Sequence, residues 1–268
     1  MVRAASRLTP AFVLHSHDWS ESSLILDLFT KEQGRVVAAA KGAKRPHSQL
    51  RPVLLPFQRI QVAFGSKRGE DAEVALLRHA EWAGGTAWPG GPALLPGFYL
   101  NELLMHMLVR HEPQPVLFEA YAQTLQAMAD PLLLQAALRA FELVLLRQLG
   151  HLPDLSVQTL DAQPVRDGQA YEVWPEMGVM PAQPSDGQGP PGVALGGGHL
   201  LALEGGLRQW LPGAGSSGPA WHRGMPHLMS VCLPVQSELK AICRQLIHYH
   251  LGTRTLRTRQ LMMELQQP

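Results

Sequence analysis

The chain has 268 residues, of which 46% are hydrophobic, and this is enough for a sizeable core and most naturally for two domains. Its formal net charge of +1 excludes a uniformly basic or acidic protein. Cys232 and Cys243 have no CxxC companion, which argues against a disulfide framework and against a structural zinc site.

The amino-terminal stretch, MVRAASRLTPAFVLHS, lacks the apolar segment and small-residue cleavage site of a secretory signal. No run of about 18 uncharged apolar residues, the length that a membrane span needs, occurs in the sequence. We therefore expect a cytoplasmic protein that has no membrane partner.

Short and often alternating apolar runs from Ala11 to about Leu77 predict about five strands. Five short strands within about 70 residues, with a basic loop in the middle, favour a small closed barrel such as an OB-fold over a sandwich, which needs about seven. Glycine and proline then interrupt the pattern over residues 83–97. We predict a barrel domain over residues 1–84 and a helical domain over residues 85–268.

The second part of the chain has helical periodicity. Apolar residues recur at helical spacing over 100–108, 117–128, 134–149 and 239–247, and a last short helix is predicted around 256–265. These stripes predict an antiparallel helical bundle. Residues 151–220 have no extended periodicity of apolar residues. Glycine and proline are frequent there, as is typical of a flexible, low-complexity loop, in the stretches PAQPSDGQGPPGVALGGG and LPGAGSSGP.

Positive charge is concentrated around the third predicted strand, in GRVVAAAKGAKRPHSQL. Nine basic residues stand against the single acid Glu32 in the interval from Lys31 to Arg68. Clustered lysine and arginine is typical of surfaces that bind nucleic acid or acidic membrane, although a solvated surface is the alternative. Gly34 and Gly42 are predicted to allow sharp backbone turns next to this charge.

Motifs for catalysis are weak throughout the sequence. There is no Walker A loop, GxSxG elbow or dinucleotide fingerprint, and the histidine pairs lack HExxH spacing. The sequence therefore favours a binding protein with no catalytic residues, metal, cofactor or small-molecule substrate. Two alternatives remain open: a purely protein-binding scaffold, and a metal-dependent nucleic-acid hydrolase whose carboxylates are Asp27, Glu70, Asp71 and Glu73.

Four ordered blocks, at residues 12–58, 97–125, 137–150 and 249–262, resemble the bacterial recombination mediator family RecO. The resemblance implies an amino-terminal OB-fold, a helical domain, and binding of single- and double-stranded DNA with annealing of complementary strands. It also implies joint action with RecR in loading RecA onto strands coated by the single-stranded DNA-binding protein, SSB.

Two further expectations follow from this resemblance. RecO-like proteins bind the acidic, hydrophobic-ended SSB tail in the helical domain, and the matching positions here are Arg139 and Arg244. Many RecO-like sequences carry four cysteines in zinc-ligand spacing after the third helix, where this chain has none. The interval of about 151–230 is therefore expected to be a loop-rich, metal-free remnant of the family's zinc module.

An OB barrel binds a strand by following its phosphates with a basic groove while aromatic residues stack on bases. Only 6% of residues are aromatic, and Phe12, Phe29, Phe57 and Phe64 are expected in the core. We therefore predict sequence-tolerant, salt-sensitive binding through the DNA backbone. The predicted DNA-binding residues are Arg35, Lys41, Lys44, Arg45, Arg51, Lys67 and Arg68.

Overall fold

Five short strands near the amino terminus close into a barrel. The computed structural model describes residues 7–65, 73–84, 90–182, 192–210, 224–252 and 256–265. The order around the barrel is β1-β2-β3-β5-β4, with β3 and β5 parallel and every other neighbouring pair antiparallel. The predicted strands and the OB-like barrel are confirmed. The strands are β1 (Thr9–Asp18), β2 (Leu24–Thr30), β3 (Gly34–Ala40), β4 (Arg59–Phe64) and β5 (Val74–Trp82).

Alternate residues of the strands fill the barrel, because successive side chains of a strand point to opposite faces. Leu26 and Leu28 of β2 lie in this core with Val36 and Ala38 of β3. The opposite face is also covered. The rings of Phe12 of β1 and Phe29 of β2 lie 5.1 and 5.4 Å from the ring of Phe118, and Val37 and Ala39 of β3 are buried. Burial on both faces explains why β2 and β3 are almost continuously apolar.

Helices complete the compact unit that contains the barrel. This unit comprises Met1–Phe118 and Leu256–Pro268, and so includes α1 (Leu94–Met107) and the carboxy-terminal α7 (Arg257–Glu264). Asn101 of α1 donates a hydrogen bond of 2.9 Å to the carbonyl oxygen of Leu14. Packing therefore divides the chain after Phe118, whereas the sequence predicted a domain boundary at 84/85.

The second compact unit, Glu119–Thr255, is mainly helical. In its core α3 packs against α5 and α6, and α4 packs against α5. The helices predicted around 117–128, 134–149 and 239–247 are confirmed as α2, α3 and α6, and α2 begins in the first unit. The helices of this part are α2 (Pro115–Ala127), α3 (Leu134–Gln148), α4 (Gly197–Arg208), α5 (Gly224–Cys232) and α6 (Gln236–Leu251).

The interval expected to be a loop-rich insertion contains regular structure as well as loops. Three strands, β6 (Ala170–Trp174), β7 (Gly178–Pro181) and β8 (Ala194–Gly196), form an antiparallel sheet in the order β7-β6-β8, and α4 follows directly. The prediction of a loop is wrong for the ALGGG end of PAQPSDGQGPPGVALGGG, which forms β8 and the start of α4. Residues 183–191 and 211–223 lie outside the described residues.

Glycine is required where chains approach closely. Gly34 has φ of +65°, and a Cβ atom at this position would collide with the carbonyl oxygen of Glu112. The positive φ of Gly34 agrees with the sharp backbone turn predicted at this position, and the contact with Glu112 adds a second reason for glycine. Within the described parts of the chain, no helix combines the length and apolar character needed to cross a membrane.

Candidate nucleic-acid interface

The basic loop, which we define as residues 41–48, leaves the barrel at the end of β3. Gly42 has φ of +73°, a conformation that glycine adopts at little cost. The amide of Arg45 donates to the carbonyl of Gly42 at 3.2 Å, and the amide of Ser48 donates to the carbonyl of Arg45 at 3.0 Å. Ala43 is buried and anchors the loop to the barrel core. These bonds fix consecutive turns that leave Lys41 and Arg45 exposed.

An open depression of about 490 Å³ lies on the basic loop. Lys41 and Arg45 supply its positive charge, and neither forms an ion pair with another described residue closer than 4 Å. Two exposed cations on a fixed backbone suit an anion such as a phosphate group. The lining residues are Lys41, Gly42, Arg45, Pro46, His47 and Ser48.

Lys44 is held differently from Lys41 and Arg45. Its Nζ atom lies 2.7 Å from Oδ2 of Asp18 and 3.3 Å from the carbonyl oxygen of Ser20, to which it donates. The amide of Lys44 donates to the carbonyl of Ser22 at 3.0 Å. The acid that pairs with Lys44 therefore comes from outside the basic interval Lys31–Arg68. This residue ties the β1–β2 turn, residues 19–23, to the basic loop.

Arg35 does not lie on an exposed surface of the barrel. Its guanidinium donates to Oδ1 of Asp27 from Nε at 3.1 Å and from Nη2 at 2.9 Å, and Nη1 donates to the carbonyl of Met105. The side chains of Arg35 and Asp27 are only 16% and 10% exposed. Arg35 was predicted to bind DNA, and the structure instead places it between α1 and the barrel wall, where its bonds hold the two together.

The same pair bears on the carboxylates of the hydrolase alternative. Asp27 is bound to Arg35, whereas Glu73 is largely exposed and lies 3.9 Å from Arg110. Glu70 and Asp71 fall outside the described residues. In the described part of the chain, no three His, Cys, Asp or Glu side chains are grouped closely enough to hold a metal ion.

Three predicted DNA-binding residues remain, and the structure describes one of them, Arg51. Arg51 is exposed beyond the basic loop, and its amide lies 3.4 Å from the carbonyl of Ser48. Lys67 and Arg68 lie outside the described residues. The depression therefore brings together Lys41 and Arg45 of the predicted set, and Lys44 adjoins them in the chain.

Trp19 is a candidate that the sequence analysis missed. It lies in the β1–β2 turn with 57% of its surface exposed, which is unusual for so large an apolar side chain. The available signal was a single aromatic residue inside the otherwise polar turn HDWSES. The amide of Trp19 donates to the carbonyl of Ser23 at 3.2 Å, and this bond closes the turn.

The two residues expected to contact the SSB tail lie in different environments. Arg139 of α3 is buried, with Nη1 3.0 Å from Oε2 of Glu142, which is also buried. Arg244 is exposed on α6, one helical turn after the exposed Lys240. Arg139 is therefore buried within the helical unit, whereas Arg244 is exposed to solvent.

An ion network joins α3 and the segment that follows it to α4. Glu204 of α4 accepts hydrogen bonds from Arg147 at 2.7 and 3.1 Å, from the amide of Leu155 at 2.9 Å, and from Arg208 at 3.1 Å. Arg208 also contacts Asp154 at 3.2 Å. Burial alone would raise the pKa of Glu204, but the hydrogen bonds and charge of Arg147 and the Leu155 amide outweigh burial and lower the pKa.

Both cysteines are buried free thiols in the helical unit. Burial raises the pKa of Cys232 to about 12, although the positive charge of Arg139 acts in the opposite direction. Burial also raises the pKa of Cys243 well above its ordinary value. Neither thiol is therefore readily ionised near neutral pH.

Comparison with known proteins identifies the family. A family model described as the recombination protein O N terminal matches residues 6–84, and one described as the recombination protein O C terminal matches residues 92–207. A protein of Polaromonas naphthalenivorans named DNA repair protein RecO is 46% identical over 259 residues, 96% of each chain. Proteins of the same name from Verminephrobacter eiseniae and Variovorax paradoxus are each 43% identical, over 98% of each chain.

These matches extend over both compact units, and the name that the relatives share supports a role in DNA repair and recombination. The chain therefore belongs to the RecO family.

Proposed function

We propose that this protein is a non-enzymatic recombination mediator that binds single- and double-stranded DNA and anneals complementary strands. Acting with RecR, it helps to load RecA onto single strands coated by SSB. The observation that carries the DNA-binding part is the depression on the basic loop, where Lys41 and Arg45 are exposed and form no ion pair with another described residue. The parts that concern RecR and RecA rest on membership of the RecO family.

Phosphate binding follows from the chemistry of the depression. A guanidinium and an ammonium group on a backbone fixed by consecutive turns neutralise phosphates without reading the bases. Binding of this kind releases counterions and therefore weakens as salt rises. It is also tolerant of sequence, which annealing requires because any complementary pair of strands must be accepted.

The SSB tail is proposed to bind the helical unit at α6. Its acidic, apolar-ended peptide requires a cation beside an apolar surface. Arg244 and Lys240 are exposed on one face of α6, and this placement supports them as the cations. Arg139 is left out of the proposed contact surface because it is buried against Glu142.

DNA-binding anisotropy at several salt concentrations tests the proposal. The double variant Lys41→Ala with Arg45→Ala removes two phosphate contacts, so the slope of log affinity against log salt should become shallower by about 1.4, or about 0.7 per contact on a single strand. The matched control, Lys240→Ala with Arg244→Ala, removes the same charge from α6 and should leave the slope unchanged while weakening SSB-tail binding.

The outcomes separate the proposal from its rivals. An unchanged slope in the first variant, with a shallower slope in the control, would assign the DNA to α6 instead of the barrel. No retention of DNA by the wild-type protein at low salt would leave only a protein-binding scaffold. Labelled strands incubated with magnesium should become duplex and stay intact, and shortened products would indicate a hydrolase.

A further inference from the structure

We propose that Trp19 stacks on an unpaired base of the bound strand and so makes this protein prefer single-stranded to double-stranded DNA. This inference rests on the proposed DNA binding by the basic loop and assigns a second contact to the same strand.

The exposure of Trp19 leaves its ring available to a ligand. A side chain of this size is ordinarily buried over most of its area, yet Trp19 is 57% exposed. Indole offers a flat π-face, and every nucleobase has a matching face, so the contact does not depend on sequence. A base within a duplex is already stacked on both sides and cannot accept this contact.

The turn that carries Trp19 is fixed to the basic loop on both sides of the indole. Asp18, the preceding residue, accepts from Nζ of Lys44 at 2.7 Å, and Ser20, the following residue, accepts from the same atom at 3.3 Å. The amide of Lys44 also donates to the carbonyl of Ser22. The position of Trp19 relative to the basic loop is therefore set before any ligand arrives, which lowers the entropy cost of binding.

The charges around Trp19 favour a base over a phosphate. Asp18 has a side chain that is 76% exposed, and its carboxylate repels phosphate at the turn even though Lys44 offsets part of the charge. Lys41 and Arg45, on either side of Lys44 in the chain, line the depression that suits phosphates. A single strand can place its phosphates on the depression and turn one base toward the indole. The β1–β2 loop is also one of the loops with which OB-folds bind oligonucleotides.

Trp19→Ala tests the inference against a matched control. We expect the variant to bind single-stranded DNA about 5- to 150-fold more weakly, the range that corresponds to one lost base–aromatic stack. Its affinity for duplex DNA and its salt slope should not change, because no phosphate contact is lost. Trp19→Phe should recover most of the affinity. Trp82→Ala removes a tryptophan that is 63% exposed at the end of β5, and should leave binding unchanged.

Oligonucleotides of abasic residues separate stacking from any other effect of the substitution. An abasic strand keeps the phosphates and lacks the bases, so wild-type protein should bind it as weakly as Trp19→Ala does, and the variant should show no further loss. If wild-type protein binds no DNA, the proposed function fails. Suppose instead that wild-type protein binds with the expected salt slope and that Trp19→Ala binds ordinary single-stranded DNA as tightly as wild type does. The inference alone is then overturned, and a protein partner becomes the explanation of the exposure of Trp19.

Discussion

The Nζ atom of Lys44 lies 2.7 Å from Oδ2 of Asp18, a residue 26 positions earlier in the chain. This ion pair distinguishes Lys44 from its neighbours Lys41 and Arg45, which have no such partner among the described residues. A lysine that is already paired with a carboxylate neutralises a phosphate only by giving up that partner. The three cations of the basic loop are therefore not equivalent.

We accordingly predict different salt slopes for single variants of the loop. Lys41→Ala and Arg45→Ala should each make the slope of log affinity against log salt shallower by about 0.7, whereas Lys44→Ala should change it by much less. Asp18→Asn frees Lys44 and should tighten binding and steepen the slope. Fluorescence anisotropy with a labelled single strand measures all four. An equal effect of Lys44→Ala and Arg45→Ala would contradict this distinction.

Arg139 and Glu142 form a buried ion pair on α3, with Nη1 of the arginine 3.0 Å from Oε2 of the glutamate. Arg139→Ala should lower the free energy of unfolding by about 3–5 kcal/mol, because it leaves the carboxylate of Glu142 buried opposite an alanine. Urea denaturation measures this loss. If the same variant also binds the SSB tail more weakly, the cause would be loss of folded protein and not loss of a direct contact with the tail.

Replacing both partners provides the control for this pair. The double variant Arg139→Met with Glu142→Leu removes both charges and fills a similar volume, so it should recover most of the stability that Arg139→Ala loses. Arg244→Ala, on the exposed face of α6, should weaken tail binding with no change in unfolding. Wild-type stability in Arg139→Ala would show that the pair is dispensable.

Strand and helix periodicity was sufficient to predict the barrel and the helices α1, α2, α3 and α6, because each of them buries apolar residues at regular spacing. The last helix, α7, was also predicted, although none of its residues is buried. The sheet of β6, β7 and β8 gave no comparable signal, since its strands have only three to five residues. Glycines at the start of α4 were misread as flexibility. A Cβ atom at Gly197 would collide with the backbone carbonyl of Arg166, so close packing requires glycine at this position.

The candidate site could be predicted in part. Counting charges located the basic loop, because cations that are adjacent in sequence remain adjacent on a turn. It could not show that Arg35 is bound to Asp27 or Lys44 to Asp18, since strand register and the path of a turn decide which charges meet. The exposure of Trp19 also depends on tertiary structure, and composition alone placed aromatic residues in the core.

Zinc content is predicted to be negligible in this protein. Zinc binding requires deprotonated thiols or neutral imidazoles in close spacing, and burial raises the pKa of both Cys232 and Cys243. Purified protein should contain far less than one zinc per chain by elemental analysis, and a chelator should leave its thermal unfolding unchanged. About one zinc per chain, or a melting temperature lowered by chelator, would refute the prediction.

Glu204 should make the stability of the helical unit depend on pH. The pKa of Glu204 in the folded protein is lowered below the ordinary value of 4.5, so the ionised carboxylate stabilises the folded state. This stabilisation is fully present at pH values above 4.5. The stabilisation is lost as pH falls through the folded pKa. Glu204→Gln should therefore cost about 1.5–3 kcal/mol near neutral pH, the range for hydrogen bonds to charged groups, and much less under strongly acidic conditions.

Urea unfolding of wild-type protein and Glu204→Gln across this pH range measures the difference. Asp154→Asn is the matched control, because its carboxylate also pairs with Arg208 but is 48% exposed. An exposed pair contributes little, so this variant should cost less than about 1 kcal/mol. A gap between wild type and Glu204→Gln that stays constant down to acidic pH would show that ionisation of Glu204 does not stabilise the fold.

Glu102 of α1 binds the amino terminus of α7 through both carboxylate oxygens. Oε1 accepts from the amide of Arg257 at 2.7 Å, and Oε2 accepts from the amide and the hydroxyl of Thr258 at 3.0 and 2.5 Å. The first amides of a helix have no partner within the helix and carry partial positive charge, so a carboxylate there both satisfies and stabilises them. Glu102 therefore replaces a local cap, which Leu256 does not provide.

Removing this carboxylate should release α7 while leaving the barrel folded. Glu102→Ala should cost about 1–2 kcal/mol at α7, the upper part of the range for losing a helix cap, and should speed amide hydrogen exchange across 257–264. Glu102→Gln keeps acceptor capacity and should show a smaller effect. Exchange in β2 and β3, whose bonds do not involve Glu102, is the internal control. If α7 exchanges at the wild-type rate in Glu102→Ala, its attachment depends on packing against α1 rather than on the carboxylate.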